Sequence, residues 1–186
     1  MVRKVNACVI ISGKGSNLKQ IIISSREYNF PINIKLIISN NPNAQGLKLA
    51  KKYNIPFKSF SSYNYRIFER NCLLEIKKKK IKLICLAGFM KILSKNFLKT
   101  FRHKVINIHP SLLPKFKGLN SHKKVLDNKD KYSGCTVHFV TSSLDSGKII
   151  MQKKITVEKN ETIFTLKKKV LRQEHKIYSK AIRKIF

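Results

Sequence analysis

The feature that most constrains the fold is an alternation of two periodicities. Short apolar runs rich in Val and Ile give way, one after another, to longer stretches whose apolar residues recur at helical spacing. VNACVII is followed by LKQIIISSREY, and NIKLIISN by AQGLKLAKKYN. IPFKSF is followed by YRIFERNCLLEIKKK, IKLICLAGF by KILSKNFLKTF, and VINIH by HKKVLDNKD. A strand that is apolar along its whole length has both faces covered, and amphipathic helices between such strands are what covers them. The pattern predicts an α/β fold: single-domain, Rossmann-like, a mostly parallel twisted sheet with helices on both faces. Near the C-terminal end the pattern changes. CTVHFVT and IIMQKKITV are joined by SSLDSGK with no helix between them, which predicts an antiparallel addition to the sheet. A last helix is expected from about Ile163 to Ile185.

At 186 residues, 42% of them apolar, the chain is long enough to bury a substantial core. No internal repeat or linker interrupts the pattern, so residues 1–186 are read as one domain. The opening apolar run stops at Gly13 without a small-residue cleavage site, and is read as a first strand and not as a leader. No stretch approaches the roughly 20 apolar residues of a spanning helix, so a soluble, cytoplasmic protein is expected. Cys8, Cys72, Cys85 and Cys135 show no C-x-x-C spacing and are read as buried thiols. Lys and Arg number 40 against 9 Asp and Glu, a formal charge of +31. Such a charge suits nucleic-acid binding. The lysines, however, are spread along predicted helices (KLAKKYN, EIKKKKIK, LKKKVL) and do not gather beside an aromatic platform. No specific nucleic-acid partner and no membrane partner are predicted, and the positive field favours anionic small-molecule ligands.

Open α/β sheets bind ligands at the carboxyl ends of their strands. Polar residues stand at those ends here. After the first strand, SGKGSN offers Gly13 and Gly15 for tight turns and Ser16–Asn17 to cap the next helix. Such a turn either holds a phosphate on its N–H groups or simply joins strand to helix, and the letters match neither G-x-G-x-x-G nor a Walker sequence. At the end of VINIH, strand alternation sends Asn107 and His109 to one side. A lone histidine there is either an ordinary core or surface residue or, with an amide donor beside it, a group that can stabilise the oxyanion of acyl transfer; Pro110 and Pro114 restrict the backbone that follows. Of the aspartates, Asp127 and Asp130 fall in a polar helix end and are read as solvated. Asp145 falls in SSLDSGK, where it either forms the turn or meets His109 and favours its protonated form. The histidines lack zinc-like spacing, so no metal is expected. Most of the seven glycines, including Gly13, Gly15, Gly88, Gly118 and Gly147, fall beside these candidates.

Taken in order, SGKGSNL, LAGFMKILS, INIHPSLLPKFKGL, TVHFVTSSLDSGKII and QEHKIY resemble the folate-dependent formyltransferases, and among them the phosphoribosylglycinamide formyltransferases. The resemblance runs from about Val5 to Tyr178. HPSLLP alone is shared with the methionyl-tRNA enzyme, while GSN, AGFM and QEH narrow the match. The resemblance implies formyl transfer from 10-formyltetrahydrofolate, as co-substrate, to the amine of 5-phosphoribosylglycinamide in purine biosynthesis. It assigns Gly15, Ser16 and Asn17 to the substrate phosphate, and Leu171, Arg172, Gln173 and Glu174 to the glycinamide end. Asn107 would bind the formyl oxygen, His109 would be the proton donor, and Asp145 would raise the histidine's pKa. Arg66, Met90, Lys91, Ile92, Leu93, Asn107, Thr141, Ser142, Ser143, Leu144 and Asp145 would face the folate. The chain departs from the family pattern at Lys91, usually Arg, which turns a planar bidentate contact into a point charge. It departs also at Ser146, usually Gly, at Asn120, often His, at Leu171, usually polar, and in stopping at Phe186 without a tail. A monomer or weak homodimer is expected. The alternatives are a formyltransferase acting on another amine such as methionyl-tRNA, or a basic nucleic-acid-binding protein. A nicotinamide dehydrogenase lacks its fingerprint here.

Overall fold

The structure, a computed structural model, describes residues 4–61 and 63–186. Met1 to Arg3, which open the segment weighed above as a leader, lie outside the described residues. The described elements are β1 (Val5–Ile11), α1 (Ser16–Ser25), β2 (Ile32–Ser39), α2 (Gly46–Lys52), β3 (Phe57–Ser59), α3 (Tyr65–Lys78) and β4 (Leu83–Leu86). They continue with α4 (Lys95–Phe101), β5 (Lys104–His109), α5 (Ser121–Asp127), β6 (Tyr132–Phe139), β7 (Ile149–Thr156) and α6 (Ile163–Lys184). The strands form one seven-stranded, mostly parallel sheet in the order β3-β2-β1-β4-β5-β6-β7. Packing concentrates in two compact units, one up to Ile106 with Phe186, the other Asn107–Ile185.

In the first unit β1 pairs in parallel with β2 on one side and β4 on the other, and β3 extends the sheet beyond β2. Ala7 through Ile11 are fully buried. Burying each large aliphatic of this run is worth about 1.5–3 kcal/mol, which is why an unbroken apolar strand sits at the centre. α1 covers it with Leu18, Ile21 and Ile22, the i, i+3, i+4 stripe of an amphipathic helix. Because the chain turns to opposite sides after β1 and β4, the loops following these two strands part at a topological switch point. They are stitched there: the Ser12 N–H donates to the Gly88 carbonyl (3.2 Å), and the Met90 N–H donates to Ser12 Oγ (3.0 Å).

In the second unit β6 and β7 run antiparallel, as the missing helix between them predicted. α6 opens with a capping box in which Thr162 and Thr165 satisfy each other's backbone N–H groups. Arg183 and Lys184 close it with charge that complements the helix dipole. Its buried stripe is Leu166, Val170, Glu174, Ile177, Tyr178, Ala181 and Ile182. The one acid among these apolar positions is Glu174.

Three expectations need adjustment. Ser16 and Asn17 do not occupy the cap of α1: the cap is Gly15, in the left-handed region at φ 77°, which has no side chain to bond the first N–H groups. KILS is not helical, because α4 starts only at Lys95, behind an N-cap at Ser94 whose Oγ accepts from the Phe97 N–H (3.0 Å). Ser94 is in turn pinned by Glu69, which accepts its N–H (2.7 Å) and its hydroxyl (2.6 Å). Asp130 is not simply solvated, since it pairs with Lys115 Nζ at 3.0 Å. The four cysteines are free and buried, and burial first of all raises each thiol above its ordinary value. Among the described residues no helix is long and apolar enough to cross a membrane.

Candidate active site

β5 ends in Asn107, Ile108 and His109, and the chain then leaves the sheet through Pro110 to Gly118. Two prolines were expected to stiffen this exit. Hydrogen bonds hold it as well. Thr136 on β6 is fully buried, and its hydroxyl donates to the Ser111 carbonyl (2.7 Å) while accepting from the Leu113 N–H (3.1 Å) and Gln152 Nε2 (2.8 Å). One donor and two lone pairs are thereby all used. Gln152 also donates to the Leu113 carbonyl (2.8 Å), and the Ser111 hydroxyl donates to the Lys115 carbonyl (2.6 Å). The result is a fixed path for the backbone up to Phe116, whose carbonyl lies 2.9 Å from His109 Nε2.

The other ring nitrogen of His109 meets Asp145. Nδ1 is 3.3 Å from Oδ2, with both side chains almost wholly buried. Asp145 arrives from the loop between β6 and β7, at a positive φ of 44° that most residues avoid. Its Oδ2 also accepts the Gly118 N–H at 2.9 Å. The juncture is close-packed: a Cβ on Gly147 would stand 1.7 Å from the Phe139 carbonyl oxygen. Ser146, an expected departure, donates to the Leu144 carbonyl (2.8 Å) and accepts from Lys117 Nζ (2.7 Å), two bonds that a glycine cannot make.

The sequence reading missed His138. This β6 side chain is 2% exposed. Its Nε2 lies 3.5 Å from Asp145 Oδ1 and 3.4 Å from Asn107 Nδ2, and its Nδ1 lies 2.9 Å from the Phe139 carbonyl. The amide of Asn107 thus meets His138. The signal that could have found it is the strand pattern, which puts a titratable residue between the apolar Val137 and Phe139, seven places before Asp145. Ser121 was missed as well; its Oγ sits 3.4 Å from His109 Nε2.

The electrostatics correct one expectation. Burial pulls the His109 pKa below its ordinary value, and the opposing pull of the Phe116 carbonyl and the Asp145 charge does not make up the difference. Asp145 does favour the protonated ring, but the net direction is down. Burial would raise Asp145, yet His138, the Gly118 N–H and His109 together hold it below the usual carboxylate range.

The chain matches the family model described as formyl transferase over residues 5–182. It belongs to the formyl transferase family. Phosphoribosylglycinamide formyltransferase of Haemophilus influenzae is 37% identical over 181 residues, covering 94% of this chain and 84% of that protein. Human trifunctional purine biosynthetic protein adenosine-3 is 41% identical over 183 residues, and the chain spans only 18% of its length. Among solved structures, glycinamide ribonucleotide transformylase 1 from Symbiobacterium toebii superposes with a TM-score of 0.92 at 36% identity, covering 97% of this chain and 86% of that one.

The remaining candidates of this family member are distributed as follows. In the first unit, Gly15 precedes α1 and Ser16 and Asn17 form its first turn. Arg66 is exposed at the start of α3, Met90, Lys91 and Ile92 are exposed after β4, and Leu93 is buried. In the second unit, Thr141, Ser142, Ser143 and Leu144 are exposed in the loop that carries Asp145. On α6 only Glu174 is buried, Leu171 and Gln173 are half-buried, and Arg172 is exposed, as one helical turn requires. A groove of about 590 Å³, whose lining includes Leu73, Leu74, Ile76, Ile81 and Phe101, contains none of the candidates.

Proposed function

We propose that this chain transfers a formyl group from 10-formyltetrahydrofolate to the amine of 5-phosphoribosylglycinamide. The observation that carries the reading is the buried contact of His109 with Asp145, at the end of a strand that also bears Asn107, in a member of the formyl transferase family. Relatives that the chain covers over most of their length carry the name of that activity.

The amine is itself the nucleophile, so a protein catalyst has to align two substrates and stabilise charge. A C–N bond forms at the formyl carbon, the bond from that carbon to the folate nitrogen breaks, and the proton lost by the amine ends on that nitrogen. Negative charge builds on the formyl oxygen in between. Asn107 is assigned to donate an amide N–H to that oxygen. His109, whose ring N–H rests on the Phe116 carbonyl, is assigned as its second donor and as proton carrier. A ring held below its ordinary pKa is neutral at rest and takes up its proton as the negative charge grows. Asp145 fixes the ring's orientation and offsets its charge. The left-handed turn at Gly15, a cap residue without a side chain, suits the substrate phosphate. Met90 and Ile92, 66% and 54% exposed, and Leu144, 45% exposed, are large apolar side chains in the segments assigned to folate, and a flat ring system suits such surfaces.

The test is a formyl-transfer assay with both substrates, following release of tetrahydrofolate, with charged methionyl-tRNA as the competing acceptor. Turnover with glycinamide ribonucleotide is expected. Formylation of the tRNA alone would reverse the assignment.

A further inference from the structure

The two buried histidines are placed almost as mirror images about one carboxylate. His109 has one ring nitrogen on the Phe116 carbonyl and the other facing Asp145 Oδ2. His138 has one ring nitrogen on the Phe139 carbonyl and the other facing Asp145 Oδ1. A carbonyl oxygen only accepts, so each ring must keep a proton on its carbonyl side. The nitrogens left over, His109 Nδ1 and His138 Nε2, both confront the same negative charge. A single carboxylate flanked by two buried imidazoles suits one added proton far better than two, because the second would set like charges against each other.

We propose that His138 is a positioning residue that competes with His109 for Asp145, and so limits how firmly His109 holds its proton. This deepens the formyl-transfer reading and rests on it for its catalytic meaning. His138 has a satisfied partner in either state. Protonated, its Nε2–H donates to Asp145 Oδ1. Neutral, its Nε2 accepts an N–H from Asn107, and the amide's second N–H stays available. His109 has no such second choice, since among the described residues its Nδ1 faces the carboxylate of Asp145 alone. A donor locked to an undivided carboxylate would be a poor acid, and efficient transfer wants a proton held near the working pH. Sharing Asp145 supplies that balance, and the repulsion of His138 on His109 acts in the expected direction. The other charged and titratable groups that act on His109 come from α5: Lys124, which also disfavours charge on it, and His122.

The experiment is a nitrogen-15 NMR titration of the imidazoles in the full chain without substrate. In the unmodified protein His109 is expected to titrate in two steps, the mark of a site coupled to a neighbour. In His138→Gln the His109 midpoint should rise by about half a pH unit or more, and the acid-to-alkaline profile of kcat should move up with it while KM for glycinamide ribonucleotide stays within about twofold. His138→Phe should give the same rise where it folds. A single-step His109 curve in the unmodified protein, or a His109 midpoint unmoved in His138→Gln, would overturn the proposal. Because the titration needs no substrate, it can fail while formyl transfer is observed, and it can succeed if the acceptor proves to be another amine.

Discussion

The turn after β1 and the cluster at the end of β5 treat polar groups in opposite ways. Before α1 the chain withholds side chains: Gly15 takes a left-handed turn, and neither Ser16 nor Asn17 caps the helix. At the end of β5 it supplies them in excess, so that Asp145 meets two imidazoles and a backbone N–H. The first arrangement suits an anion that brings its own acceptors. The second suits a reaction in which charge appears only briefly, because preset dipoles need no rearrangement when it does. Backbone sites are thus made by a cap residue without a side chain, and side-chain sites by balancing donors against acceptors.

The sharpest way to break this contrast is to remove the imidazole. His109→Ala is expected to lower kcat by about 10²–10⁴-fold, the range for a positioned proton-transfer group, with the melting temperature little changed. Asp145→Asn should follow at a smaller factor, since it leaves the ring in place. Full turnover in His109→Ala would reduce the cluster to a structural one.

Next come the glycines on which each region closes. A Cβ on Gly147 would fall 1.7 Å from the Phe139 carbonyl oxygen, the group that holds His138 Nδ1. Gly147→Ala should therefore cost stability by about 1–3 kcal/mol, as overpacking does, and also lower kcat. A Cβ on Gly15 would fall 2.8 Å from the Gly46 Cα, at a φ of +77°. Gly15→Ala should cost a similar amount through left-handed strain and crowding, but show itself in KM for the phosphorylated substrate. Urea melts and steady-state kinetics separate the two outcomes. If both substitutions acted on kcat alone, the division of labour would be wrong.

These cases show why one region was readable in the letters and the other only partly so. The fold was legible because strand and helix periodicities are local, and the Gly13-to-Asn17 turn because its glycines are neighbours in sequence. Even there the capping role of Ser16 was misread, since a left-handed Gly15 starts the helix one residue earlier than a Ser cap would. Asn107, His109 and Asp145 were singled out from strand ends and resemblance together, and the structure brings His109 to Asp145 and Asn107 to His138. His138 was not, because its place depends on which face of β6 meets a loop formed seven residues later. The pull of burial on His109 was equally out of reach, as only packing reveals how much water the ring has lost.

Acid should expose that burial. His109 has a folded pKa below its ordinary value, so the unfolded chain takes up this proton first as pH falls from about 6.5. Its contribution is complete above that pH and is lost as pH falls through the folded value. Asp145, also lowered, adds a second loss below the usual carboxylate range of about 4. Urea midpoints should therefore drop between pH 7 and pH 5.5, and drop less in His109→Gln. Some slope will remain there, because burial lowers His122 too. An identical drop in the variant would mean that His109 is not desolvated as the structure indicates.

The smallest effect concerns the loop itself. By the resemblance Ser146 stands where a glycine is expected, and its hydroxyl ties the loop to the Leu144 carbonyl and to Lys117. Both bonds are exposed, so each is worth little, about 0.5–1.5 kcal/mol at most. Their value lies in holding the loop that carries Asp145 nearer one conformation before substrate arrives. Ser146→Gly should leave the melting temperature within about a degree and raise KM for 10-formyltetrahydrofolate by a few-fold, with kcat almost unchanged. A lower KM would mean that the serine holds the loop away from its binding conformation. The side-chain region would then be tuned by restraint, as the backbone region is by its glycines.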